Sequence, residues 1–150
     1  MKKIFFIFAL CSVATFISCS KTETVTVTVD SALPQGNFTK SRMGTLMAEN
    51  GTPTAGVVTI GTDEKGTSFL KMATDFKTEL ATGTVTVYFS KTKALAFDPG
   101  KGNPNVKLVG VVAKNGEQFI KLNSTIPTEF SFLVLYCATA NINFGNAPLN

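Results

Sequence analysis

Few groups in this chain could do chemistry, and its sulfur atoms come first. Cys11 and Cys19 lie in the N-terminal segment, and only Cys137 lies in the body. Cys137 ends the run Phe130-Ser-Phe-Leu-Val-Leu-Tyr-Cys137, closely followed by Ile142-Asn-Phe144-Gly-Asn-Ala-Pro-Leu149. An exported domain with one thiol has odd cysteine arithmetic, and such a thiol is either buried or reactive. The chain has no histidine, so it lacks the commonest general base and the commonest metal ligand. His-ligated haem, the usual zinc sites and any Ser–His or Cys–His nucleophile are excluded within one chain. A single thiol in the body also excludes a four-cysteine cluster and an intrachain disulfide there. Met43, Met47 and Met72 could join Cys137 in a soft site for copper(I) or as a haem axial pair. The bland alternative is that they fill gaps in a core. Asp63-Glu64 and Asp75 are the nearest to a carboxylate grouping. They read as solvated turn residues rather than a cation site, which needs several convergent oxygens.

Cys137 has two readings from its surroundings. As a small buried hydrophobe it would be inert, a role free cysteine often fills. As a reactive thiol it would need a nearby cation or a helix N-terminus to favour the thiolate, and the residues around it supply neither. Period-two alternation puts Phe130, Phe132, Val134 and Tyr136 on one face and Leu133, Leu135 and Cys137 on the other. A strand apolar on both faces is central and buried, so Phe132, Leu133, Val134 and Leu135 are all expected to be buried. Cys137 is expected at or near the core, with Ile142 and Phe144 pointing inward beside it.

The elements that must position this residue are short strands. Gly44–Ala48 leads into Glu49-Asn-Gly-Thr52, and Asn-Gly is a strong hairpin signal. Val57–Ile60, Ser68–Thr74 and Thr84–Phe89 follow, the last with Val85, Val87 and Phe89 on one face. Asp98–Pro104 reads as a loop. Val106–Val112 is a strand turned by Lys114-Asn-Gly116, and Gln118–Leu122 returns. Phe130–Cys137 and Asn141–Phe144 close the domain. No segment keeps a helical period. Short strands separated by turn signals predict an all-β sandwich or barrel of about eight mostly antiparallel strands.

The N-terminus carries a different message. Lys2 and Lys3 precede an uncharged apolar stretch over Ile4–Ile17, too short to cross a bilayer as a helix and typical of a secretory signal. Phe16-Ile17-Ser18-Cys19 resembles the lipobox of bacterial lipoproteins, and Ser before Cys is similar to the relaxed form common in the Bacteroidota. This resemblance implies lipidation at Cys19, where more than one acyl chain gives stable anchoring. The expected organisation is a lipoprotein signal peptide over 1–18, a lipidated Thr-rich tether over 19–35 and a β domain over 36–150. Within the tether, Thr24-Val-Thr-Val-Thr-Val29 alternates and could equally be an edge strand. Removing 1–18 takes the formal net charge from +4 to +2. The remaining lysines are dispersed, so the electrostatics exclude nucleic acid as a partner.

The body resembles the electron-transfer DM-thirteen domain over about Gly36 to Leu149. The matching blocks are Gly36-Asn-Phe38, Gly56-Val-Val-Thr-Ile60, Asp75-Phe76, Val87-Tyr-Phe-Ser90, Leu108-Val-Gly110, Gly116-Glu-Gln118, Leu135-Tyr-Cys137 and Phe144-Gly-Asn-Ala-Pro-Leu149. The last block is the most specific. The resemblance implies electron transfer at a cell surface, with Cys137 as a bare thiol or as a ligand to a prosthetic group such as haem. The expected protein is thus an envelope-anchored accessory domain, not an enzyme by itself, held as an outer-membrane lipoprotein on the periplasmic face or the cell surface. Its partners would be the membrane, through the lipid anchor, and an unidentified redox or protein partner. The alternative is a non-catalytic surface binding or adhesion module in which Cys137 is only core packing.

Overall fold

A computed structural model of the protein describes residues 32–95 and 103–150. The signal segment, Cys19, the Thr24–Val29 alternation and most of the Asp98–Pro104 loop lie outside the described residues. Nine strands follow in order: β1 (Thr39–Thr45), β2 (Met47–Ala48), β3 (Val57–Thr62), β4 (Ser68–Met72), β5 (Val85–Ser90), β6 (Val106–Val111), β7 (Gln118–Lys121), β8 (Phe132–Cys137) and β9 (Ile142–Pro148). They form two antiparallel sheets, ordered β1-β3-β4-β7 and β2-β9-β8-β5-β6, which do not close into a barrel. The all-β sandwich expected from the alternation is what forms. The strand count rises to nine because the stretch around Gly44–Ala48 is two strands. Buried Leu46 carries the chain from the edge of one sheet to the edge of the other.

The inward rows follow the period-two pattern. Val58 and Ile60, Leu70 and Met72, and Ile120 point in from the first sheet; Val85, Val87, Phe89, Leu133, Leu135 and Ala147 meet them from the second. Outside the first sheet, Phe69, Phe119 and Phe38 stack edge to face, with centroids 5.9 and 6.3 Å apart.

Two turns form as the sequence predicts yet do not make the hairpins they suggest. Asn50 (φ 50°) and Gly51 (φ 73°) adopt the left-handed pair of a tight turn, and the Thr52 N–H donates to the Glu49 carbonyl at 3.1 Å. The flanking strands nevertheless part: β2 pairs with β9, and β3 with β1. Lys114–Gly116 likewise joins β6, in the second sheet, to β7, in the first. Turn chemistry fixes a local reversal but not the partner of each arm, which is chosen by where the apolar face can be buried.

Three further expectations are corrected. Met43 and Met47 stay 37% and 46% exposed, and only Met72 enters the core. Asp63 is buried rather than solvated. It accepts the backbone N–H groups of Gln35 (3.0 Å), Lys65 (2.9 Å) and Thr67 (2.8 Å), pinning the β3–β4 turn to the segment before β1. The Gln35 N–H foremost, with those of Thr67 and Lys65, holds its carboxyl below the ordinary aspartate value against the opposing effect of burial. Phe132 is only half-buried, on the outer face of β8.

Candidate functional site

Cys137 is set by β8, the middle strand of the five-stranded sheet. Its flanking partners in register are Val85 on β5 and Ile142 on β9. The alternation sends Leu133, Leu135 and Cys137 into the space between the sheets, and each is 0% exposed. It is the one free cysteine among the described residues. The next residues, 138–141, form a turn ending at Asn141 in a left-handed conformation (φ 54°), whose side-chain oxygen accepts the Tyr136 hydroxyl. This turn packs on Gly83, where an added Cβ would sit 2.6 Å from Thr139 Oγ1.

The outer face of β8 is covered differently. Val134 points away from the core, yet it is 0% exposed, as are its neighbours Asn146 and Ser90. Lys93, three residues past β5, places its Nζ 3.6 Å from Glu49 Oε1, just beyond β2 on the edge of the sheet. The same Glu49 oxygen accepts an Asn146 Nδ2 hydrogen at 3.0 Å, while Asn146 Oδ1 is buried with no hydrogen-bond partner among the described residues. A strand covered on both sides is what the doubly apolar run Phe132–Cys137 requires.

Several of the motif blocks meet one another. Gly56 (φ 116°) lets the chain pass so close to Phe76 that a Cβ would meet its Cα at 2.6 Å, and the Val57 N–H donates to Asp75 Oδ1 at 3.3 Å. The Phe76 carbonyl accepts the Gly116 N–H at 2.8 Å, and the Val112 N–H donates to the Val85 carbonyl beside Cys137. Gln118 folds back to accept the Ala113 N–H at 3.0 Å and to donate to the Lys114 carbonyl. In the closing block, Gly145 leaves room for Thr54 Cγ2 and the Met47 carbonyl, 2.6 and 2.7 Å from where a Cβ would stand. These glycines and polar residues thus tie the segments after β2, β4 and β6 to one another.

The model of the family described as Electron transfer DM13 matches residues 46–149. The chain belongs to this family. No curated protein and no solved structure matches it. The DM13 match begins at Leu46, so β1 and Gly36-Asn-Phe38 lie ahead of it.

In this DM13 domain the soft-ligand set imagined from sequence does not assemble. Met43 and Met47 line a surface groove, whereas Cys137 and Met72 are enclosed in the core. No group of three or more Cys, Asp or Glu side chains stands in metal-binding array among the described residues. Nor does the setting of Cys137 fit a haem. Its side chain is wholly enclosed by core residues between two sheets that pack about 10 Å apart, and a macrocycle reaching it would displace Leu133, Leu135 and their partners. What the geometry offers is a bare thiol in an apolar shell. The burial of Val134 follows from the doubly apolar run, whereas that of Asn146 was missed in sequence, because a polar side chain carries no local signal of what will cover it.

Proposed function

We propose that this electron-transfer DM13 domain works at the cell envelope, tethered through Cys19, with the Cys137 thiol as its redox group. The observation that carries this reading is the placement of Cys137, the sole free thiol of the described residues, on the central strand of the five-stranded sheet. An enclosed thiol suits exchange of an electron and a proton without covalent attack: the thiol becomes a thiyl radical, the electron passes to a one-electron acceptor, and the proton leaves to solvent. The full burial of Cys137 favours a second reading, a surface binding module in which the cysteine is a small core residue.

Titration with hexachloroiridate(IV), a one-electron oxidant strong enough to take a thiol to a thiyl radical, separates them. In a chain carrying Cys11→Ala and Cys19→Ala, Cys137 is the only thiol. The folded protein should then reduce the iridium complex by an increment that Cys137→Ser lacks. Equal consumption by the two folded proteins would discard the redox role of Cys137 and leave the binding module.

A further inference from the structure

Among the described residues, the large hydrophobic side chains left exposed are Leu33, Met43 and Met47. Two of the three are thioethers, and they share one groove. It measures about 510 Å³ and runs along the paired edges of the sandwich, between Gly44, Thr45, Pro148 and Asn150. The groove's backbone is fixed: the N–H and carbonyl of Met43 exchange hydrogen bonds with Asn150 at 3.0 and 2.9 Å, and Met47 is held in register with Asn146. Met72, the other methionine of the described residues, is 0% exposed, as is Cys137. Among the described residues, the sulfur that a dissolved oxidant meets first is therefore a thioether, not the thiol. Lys40 Nζ lies 3.4 Å from Met43 Sδ. An ammonium there opposes a metal cation but not a neutral peroxide.

We propose that Met43 and Met47 form a peroxide-reactive site, separate from Cys137. A sulfur lone pair attacks the outer oxygen of a hydroperoxide, the O–O bond breaks and an S–O bond forms. Sulfur gives up two electrons, and the leaving hydroxide takes the proton of the transferred oxygen, so hydrogen peroxide departs as water. The product sulfoxides turn an apolar, flexible rim into a polar one. The Lys40 ammonium draws on the Met43 lone pair, making Met47 the faster of the two.

The test exposes the native protein to hydrogen peroxide and follows each methionine by peptide mass mapping. Met43 and Met47 should gain one oxygen at least about tenfold faster than Met72. Equal rates at all three, or protection of Met43 and Met47 to the level of Met72, overturn the proposal. Lys40→Ala, at an exposed position, should raise the Met43 rate relative to Met47 severalfold. An unchanged ratio removes Lys40 from the site. Neither result depends on Cys137, so the outcome is distinct from that of the one-electron titration.

Discussion

Asp63 shows how one carboxylate can organise a junction without acting as a site. Three backbone N–H groups converge on it, from Gln35, Lys65 and Thr67. Its carboxyl is held below the ordinary aspartate value, so the ionised form is favoured in the folded chain. The stabilisation is complete at pH above the unfolded aspartate value and is lost as the pH falls through the lowered folded value. Asp63→Asn keeps an acceptor oxygen but not the charge. Its melting temperature should be lower than that of the wild type at neutral pH, and the gap should narrow as acid protonates the wild-type carboxyl. A gap independent of pH would show that the charge plays no part. Asp63 looked like a turn residue in the sequence, and it is one. Its burial was not legible, because it depends on the segment before β1 folding back to deliver Gln35. Arg42 is similar: its Nη2 donates to the carbonyls of Phe130 (2.9 Å) and Leu149 (3.4 Å), tying β1 to the start of β8 and the end of β9, a link no spacing announces.

At the scale of elements, β8 is where the sequence was most informative. Its double apolar character predicted a central strand, and it is the middle of five. The two faces differ in kind, however. Leu135 is fully enclosed between the sheets, whereas Phe132 stands half-buried on the outer face. Leu135→Ala should therefore cost about 2–5 kcal/mol, and Phe132→Ala under about 1.5 kcal/mol. Denaturant unfolding of both variants checks the split, and equal losses would show that the outer face is buried as deeply as the inner. Strand existence and inward rows could be read because alternation is a local property of the chain. Strand partners could not, because β2 finds β9 and β7 finds β4 across long separations. The candidate site divides the same way. Cys137's inward direction follows from period two, while its enclosure depends on β5 and β9 flanking it and on the first sheet packing over it.

At the scale of the whole molecule, the envelope reading rests on Cys19, and fractionation tests it. Cys19→Ala should move the protein from the membrane to the soluble envelope fraction, since the apolar stretch over Ile4–Ile17 is too short to anchor a chain as a spanning helix. Continued membrane association, or a mature N-terminus at another residue, would refute lipidation there. The sheet order has a consequence for how this domain comes into being. Among the described residues, only β3–β4 and β8–β9 are simple neighbours in both chain and sheet over a short turn, β2 pairs with β9 alone, and Met43 at the edge of the first sheet is closed by Asn150. A nascent chain thus cannot complete the edges of its sandwich until β9 and Asn150 have arrived, and until then it presents unpaired strand edges. Pairings of such long reach place folding on the slow side of the range for small domains, and a slow-folding chain with open edges is one that holdase chaperones can keep extended.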